Sequence, residues 1–202
     1  MLVDSERVTV EVESAFLTGL GWTVTPEEVA ELFLGRTDAY MRQVIQERVP
    51  GLAADWERQL DERYLAAQAE LQPVEGVVEA LEAIDVETCV ASSGTHDKMK
   101  RTLGATGLYD RFRGRIFSAT EVEHGKPAPD LFLHAAERMG VEPARSAVVE
   151  DSPFGVEAAR AAGMTVFAYA GGLVPAERLS GADVVFDNMR DLPALLRRVA
   201  GP

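Results

Sequence analysis

Past Val74, short apolar segments alternate with helical segments, and this alternation restricts the fold more than any other feature of the sequence. The apolar segments are VETCVASSG, RIFSA, SAVVEDSP, TVFAYAGG and ADVVFDN, and amphipathic helical patterns such as PDLFLHAAERMG and PFGVEAARAAGM lie between or after them. Strands that alternate with helices predict a parallel sheet with helices on both faces. We therefore predict a doubly wound α/β core domain over residues 74–202.

The first 73 residues contain no convincing strand and predict a helical unit. The segment TPEEVAELFLG places Thr25 at a capping position and Pro26 in the first turn, which is typical of a helix start. Apolar stripes in TDAYMRQVIQERVP and DWERQLDERYLAAQAELQP predict two more helices, and the chain opens on another that follows Asp4. We predict a four-helix domain over residues 1–73, including an entry linker.

Composition restricts the range of partners. The chain of 202 residues carries a formal net charge of −13, which disfavours nucleic acid because a polyanion is repelled. No stretch is apolar enough to span a membrane, and the N-terminus does not resemble an export signal. With a single cysteine, Cys89, the chain forms no internal disulfide. We expect a cytoplasmic monomer without membrane or nucleic-acid partners.

Ligands of open parallel sheets bind beyond the carboxyl ends of the strands, so the residues at those ends are the candidates for function. Ser92, Ser93 and Gly94 follow the first predicted strand and precede a helix. Hydroxyls and backbone N–H groups in that position can bind an anion. The alternative is an ordinary helix cap formed by Thr95.

The second candidate is Lys126 in the segment HGKPAPD. The chain has 17 arginines and only three lysines, so a lysine in a short unusual motif is of interest. Pro127 and Pro129 stiffen the loop and hold Lys126 in place. The alternative is an exposed lysine in a proline-rich turn.

The third candidate is the pair of adjacent acids, Glu150 and Asp151, at the end of the strand in AVVEDSP. Two neighbouring carboxylates repel each other unless a cation lies between them, which favours a metal site. The alternative is that Asp151 caps the following helix. Capping would explain one acid but not both.

Taken together, the serine after a strand, the G-K-P-x-P-D segment and V-E-D-S-x-x-G-x-x-A-A-x-A-A-G-M resemble the haloacid dehalogenase superfamily of phosphatases and phosphomutases. The resemblance extends over essentially the whole chain and is nearest to the branch of β-phosphoglucomutase and 6-phosphogluconate phosphatase, whose inserted α-helical cap corresponds to the first domain. It implies that Ser92 binds the phosphoryl group, with Ser93 and Gly94 in the same loop. It also implies that Lys126 neutralises the phosphoryl group and that Asp151, with Glu150, holds Mg²⁺.

The superfamily's first motif, D-x-D-G-x-L-V-D-S-E, is matched only from Leu2 onward. Both aspartates of that motif, the nucleophile that forms an aspartyl-phosphate and the general acid/base, would precede Met1, and Asp4 does not replace them. We therefore expect the first core strand to be missing and these residues alone to be inactive. Either the native protein extends upstream of Met1 and is active, or the chain is a non-catalytic protein that binds phosphometabolites or another protein.

The resemblance implies a small phosphorylated metabolite as substrate, with a sugar phosphate as the first expectation. Arg36, in the segment FLGRTDAY, is a candidate for contacting a carboxylate or a second phosphate, although a solvated arginine at a helix end explains it equally well. The mutase has an arginine where this chain has Asp38. That difference favours a Mg²⁺-dependent phosphatase over a sugar phosphomutase.

Overall fold

The computed structural model describes residues 1–33 and 38–200, and the chain divides into two compact units. One unit is Ser5–Leu71, and the other combines Met1–Asp4 with Gln72–Pro202. The predicted helical domain covers residues 1–73, whereas the structure groups residues 1–4 and 72–73 with the α/β unit. Among the described residues, no helix is both long enough and apolar enough to span a membrane.

The first unit is helical. Its helices are α1 (Ser5–Gly19), α2 (Pro26–Phe33), α3 (Asp38–Arg48) and α4 (Trp56–Gln68). Helix α1 packs on α2 and α4, and Leu17, Ile45 and Trp56 are among the buried side chains. The predicted start of α2 is confirmed, because the Thr25 hydroxyl accepts a hydrogen bond from the Glu28 backbone and Glu28 accepts one from the Thr25 backbone.

The second unit alternates strands and helices as predicted. Its helices are α5 (Val77–Glu82), α6 (His96–Ala105), α7 (Tyr109–Phe112), α8 (Asp130–Met139), α9 (Pro153–Ala161) and α10 (Leu192–Ala200). Its strands are β1 (Val90–Ser92), β2 (Ile116–Ser118), β3 (Ala147–Glu150), β4 (Thr165–Tyr169) and β5 (Val184–Phe186). The short helices α5 and α7 were not predicted, since each is too short to show a clear period.

All strand pairs are parallel, and they form two sheets rather than one. Strand β1 pairs with β2, whereas β3, β4 and β5 form the second sheet in that order. Within the described part of the chain, β1 and β3 each have one edge without a strand partner.

The strands differ in how deeply their residues are buried. In β4, which lies between two strands, residues 166–169 are all buried, whereas all three residues of β1 are partly exposed. In β3 the apolar residues alternate between buried and more exposed. Parallel strands are normally covered on both faces, and β1 is less covered than β4.

Candidate active site

Lys126 lies between the ends of two strands that belong to different sheets. Its ammonium forms an ion pair with Glu150 at the end of β3 and lies 3.4 Å from the carbonyl oxygen of Ala91 in β1. The Phe132 ring covers it, with 4.7 Å between Lys126 Nζ and the ring centroid. An ammonium has three N–H donors, so two protein acceptors leave one donor for a ligand.

Glu150 is buried, and its two carboxylate oxygens already have partners. One oxygen faces Lys126, and the other accepts hydrogen bonds from the backbone of Asp151 (3.0 Å), the backbone of Ser152 (3.1 Å) and the Ser152 hydroxyl (3.0 Å). A Cβ at Gly155 would overlap the carboxylate, so any larger residue there would force the Glu150 side chain to move. This partner set suits an anchor for Lys126 better than the metal ligand expected for Glu150.

Asp151 differs from its neighbour, because its side chain is 24% exposed and lies 2.8 Å from the α-amino group of Met1. It does not cap α9. The cap is Ser152, whose hydroxyl accepts a hydrogen bond from the Gly155 backbone at 3.0 Å. The alternative explanation of Asp151 as a helix cap is therefore wrong, and this carboxylate remains near a positive group at the strand end.

The loop after β1 has the geometry of a small polar turn. The Gly94 backbone donates to the Ser92 hydroxyl oxygen at 3.1 Å, which leaves the hydroxyl hydrogen to donate elsewhere. Thr95 caps α6 by accepting a hydrogen bond from the Lys98 backbone at 3.3 Å. The helix cap by Thr95, given above as the alternative explanation of this segment, is therefore confirmed, and the anion-binding role of Ser92 and Ser93 stays a prediction.

The structure thus brings the ends of β1 and β3 together around Lys126. Ser92 adjoins Ala91, whose carbonyl contacts the ammonium, and Asp151 adjoins Glu150, which pairs with it. Ser93 and Gly94 continue the same loop. The candidate Arg36 lies outside the described residues. The roles predicted for these side chains stay predictions.

Ser118, the last residue of β2, and Glu121, at the end of the following 3₁₀ turn, also shape this region and were not predicted from the sequence. Ser118 is fully buried, and its hydroxyl donates to the Gly94 carbonyl at 2.8 Å. Glu121 accepts a hydrogen bond from the Ser118 backbone at 2.6 Å, which, with smaller contributions from His134 and His96, holds the pKa of Glu121 below its ordinary value. The spacing S-x-x-E is a capping-box pattern and could have indicated this pair.

The fit of these residues to Mg²⁺ is incomplete. Magnesium prefers six oxygen ligands, several of them water, with one or two carboxylates from the protein. Asp151 offers one such carboxylate, whereas the oxygens of Glu150 are engaged by other donors. No group of three or more metal-binding side chains occurs among residues 1–33 and 38–200. These residues therefore do not form a complete magnesium site by themselves.

Comparison with known proteins identifies the family. A profile described as haloacid dehalogenase-like hydrolase matches residues 2–163, which is most of the chain. The chain belongs to the haloacid dehalogenase-like hydrolase family. The serine loop, Lys126 and the paired acids of this haloacid dehalogenase-like protein all lie within the matched range.

Relatives of this haloacid dehalogenase-like chain include enzymes that remove phosphate. It is 31% identical over 169 residues to 6-phosphogluconate phosphatase of Escherichia coli, covering 82% of this chain and 76% of that protein. It is 35% identical over 190 residues to a probable pseudouridine-5'-phosphatase of Drosophila melanogaster, covering 89% and 80%. A haloacid dehalogenase-like protein of unknown function from Agrobacterium tumefaciens has a TM-score of 0.87 at 35% identity, covering 99% of this chain and 95% of the other.

Proposed function

We propose that the protein is a Mg²⁺-dependent phosphatase of a small phosphorylated metabolite, with a sugar phosphate as the first candidate. The observation that carries this proposal is the position of Lys126, whose buried ammonium lies between the ends of β1 and β3 and retains a donor for a phosphoryl oxygen. Phosphoryl transfer depends mainly on correctly placed charges around the transferring group. A lysine supplies such a charge at one point.

Each site residue then has a role. Lys126 neutralises the phosphoryl oxygens, and Glu150 holds Lys126 in position through the ion pair. The Ser92 hydroxyl donates to a phosphoryl oxygen, and Ser93 and Gly94 continue the same phosphoryl-binding loop. Asp151 is the one carboxylate in this group that remains for Mg²⁺, which when bound would add positive charge beside the phosphoryl group.

The nucleophile in this proposal is a carboxylate outside these 202 residues, on a segment that joins Met1. What supports it is the resemblance of the residues from Leu2 onward to the later part of the superfamily's first motif, whose aspartates would come earlier. The carboxylate attacks phosphorus, the bond from phosphorus to the metabolite oxygen breaks, and that oxygen takes a proton and leaves as an alcohol. Water then cleaves the aspartyl-phosphate, releases inorganic phosphate and restores the carboxylate.

The substrate class rests on two relatives, one named 6-phosphogluconate phosphatase and the other named probable pseudouridine-5'-phosphatase. Arg36 is the candidate for recognising a second acidic group on such a substrate. A phosphomutase would use the same phosphoryl site but return the phosphate to the sugar. Product analysis for inorganic phosphate and for an isomeric sugar phosphate separates the two reactions.

The test compares two proteins with Mg²⁺ and p-nitrophenyl phosphate, followed by a panel of sugar phosphates that includes 6-phosphogluconate. The first protein is the 202-residue chain, for which we expect no turnover above background. The second carries an added N-terminal apolar strand that ends in D-x-D-G, for which we expect turnover that Lys126→Met abolishes. The matched control has the same extension with both aspartates changed to asparagine.

Two results would contradict the proposal at different points. Lys126-dependent turnover by the 202-residue chain would show that the nucleophile lies within it. An extended protein that folds but remains inactive on every substrate would favour the non-catalytic binding protein. Calorimetric titration of Mg²⁺ into both proteins adds a further check, because the extension should tighten metal binding. Equal affinity would argue against Asp151 as the metal ligand.

A further inference from the structure

We propose that Glu121 is a positioning residue that holds the loop Ser92–His96 in the geometry that binds a phosphoryl group. The inference rests on the proposed function, because it takes this loop as the phosphoryl-binding element. It adds a residue that contacts the loop from a different part of the chain. Glu121 itself lies in a short 3₁₀ turn after β2.

The first contact between Glu121 and the loop is direct. One carboxylate oxygen, Oε1, lies 2.8 Å from Nε2 of His96, the first residue of α6. His96 follows Gly94 by two residues, with the capping residue Thr95 between them. Glu121 therefore fixes the end of the loop where the chain enters the helix.

The second contact runs through Ser118, the residue opposite Ser92 in the β1–β2 pair. The same Glu121 oxygen accepts the Ser118 backbone N–H at 2.6 Å, and the Ser118 hydroxyl donates to the Gly94 carbonyl at 2.8 Å. The Ser118 hydroxyl also accepts from the Thr120 backbone at 3.2 Å and the Thr120 hydroxyl at 2.9 Å. With these donors in place, its own hydrogen is directed to Gly94.

The other oxygen of Glu121 keeps the carboxylate itself in place. It lies 3.1 Å from Nε2 of His134 in α8, whose ring packs edge-on against Phe117 in β2. Glu121 thus connects β2, α6 and α8, and its hydrogen bonds lower the pKa of its carboxyl group, so it is ionised at neutral pH. Because both oxygens of Glu121 have hydrogen-bond partners, its carboxylate is fixed and can hold the Ser92–His96 loop in place.

Whether removal of the Glu121 charge weakens or strengthens anion binding distinguishes a positioning role from a purely electrostatic one. Glu121 places a negative charge near a loop that is proposed to bind an anion. If charge were its only effect, removing that charge would strengthen anion binding. If Glu121 positions the loop, removing it weakens binding, because the loop donors lose their preset geometry.

The experiment measures sulfate binding to the 202-residue protein by following the backbone amide signals of Ser93 and Gly94 in NMR. Sulfate is the probe because its charge does not change near neutral pH. We expect Glu121→Gln to weaken sulfate binding about fivefold, and Ser118→Ala to do the same, as loss of about one hydrogen bond would. Combining the two should add little, because both act through one network.

The control is Glu123→Gln, which removes the same charge from a side chain that is 87% exposed and two residues away. It should leave sulfate affinity unchanged or slightly tighter. All titrations are run well below the melting temperature, so lower stability alone does not change the affinity of the folded protein. If Glu121→Gln fails to fold, His96→Gln removes the direct contact at an exposed ring and should weaken binding in the same direction.

Two outcomes overturn the inference, and they are distinguishable. If sulfate shifts the Ser93 and Gly94 signals in the unmodified protein but Glu121→Gln binds it equally or more tightly, positioning by Glu121 is wrong while the anion site stands. If sulfate leaves both signals unmoved in the unmodified protein, the loop is not an anion site. That result removes this part of the proposed function and the inference with it.

Discussion

The carboxyl ends of β3 and β1 lie on either side of Lys126, but they are held in place in different ways. At the end of β3, Glu150 is buried, accepts hydrogen bonds from its own neighbours and packs against Gly155. At the end of β1, the Ser92–His96 loop is partly exposed, and its support comes from Ser118 and Glu121.

Because of this difference, we expect changes at the end of β3 to affect mainly stability and changes at the end of β1 to affect mainly ligand binding. Groups at the end of β3 are desolvated, so an uncompensated change there should lower the free energy of unfolding. Groups at the end of β1 are solvated, so a change there should alter the local geometry more than the stability. The following four predictions test this contrast, from the largest expected effect to the smallest.

Lys126→Met should have the largest effect, lowering the free energy of unfolding by about 3–5 kcal/mol, because it leaves the buried Glu150 carboxylate without its cation. The measurement is urea denaturation. Adding Glu150→Gln to this variant should recover part of the loss. The control, Lys100→Met on an exposed face of α6, should change stability by less than about 0.5 kcal/mol. Equal effects at both lysines would contradict the buried ion pair.

Gly155→Ala should lower the free energy of unfolding by about 1–3 kcal/mol, because the new methyl group overlaps the Glu150 carboxylate and forces it to move. Gly104→Ala is the matched control. Gly104 lies in α6 with open space around its Cβ position, so alanine there should be neutral or stabilise by up to about 1 kcal/mol. Thermal and urea denaturation of both variants give the comparison, and a stabilising Gly155→Ala would refute the close contact.

Loss of the helix cap after β3 should lower the free energy of unfolding somewhat more than loss of the helix cap after β1. Ser152→Ala removes the cap of α9 and a hydrogen bond to Glu150, and should lower the free energy of unfolding by about 1–2 kcal/mol. Thr95→Ala removes only the exposed cap of α6 and should lower it by about 0.5–1 kcal/mol. Urea denaturation of the two variants tests the order, and the reverse order would contradict the assignment of the tighter support to β3.

The smallest effect concerns pH. The pKa of Glu121 is lowered in the folded protein, mainly by the Ser118 N–H, so its ionised form adds stability above the ordinary value of 4.5. That contribution disappears as the pH falls through the lowered pKa of the folded state. Melting temperatures between pH 7 and pH 3 should therefore show a gap between the unmodified protein and Glu121→Gln that narrows at acidic pH. A gap that widens on acidification would contradict the lowered pKa.

Much of the fold could be predicted from the order of residue types alone. The change from helical periodicity to alternating strands and helices is a local property, and the helices and strands of the α/β unit occur where it placed them. The capping pair of Thr25 and Glu28 is also local, because its residues lie within one helical turn. The short helices α5 and α7 were not predicted, because four to six residues are too few to show a helical period of apolar residues.

In the candidate site, too, some features could be predicted from local sequence and others could not. The positions of the serine loop, the lysine and the two acids after strands could be predicted from the sequence alone, because each motif is a contiguous segment. Three features could be read only from the folded structure: the pairing of Glu150 with Lys126, the partial exposure of Asp151, and the contact of Glu121 with His96, 25 residues earlier in the chain. The reason is physical: ion pairs and hydrogen bonds depend on distance in space and on burial, and neither quantity can be obtained from the spacing of residues along the chain.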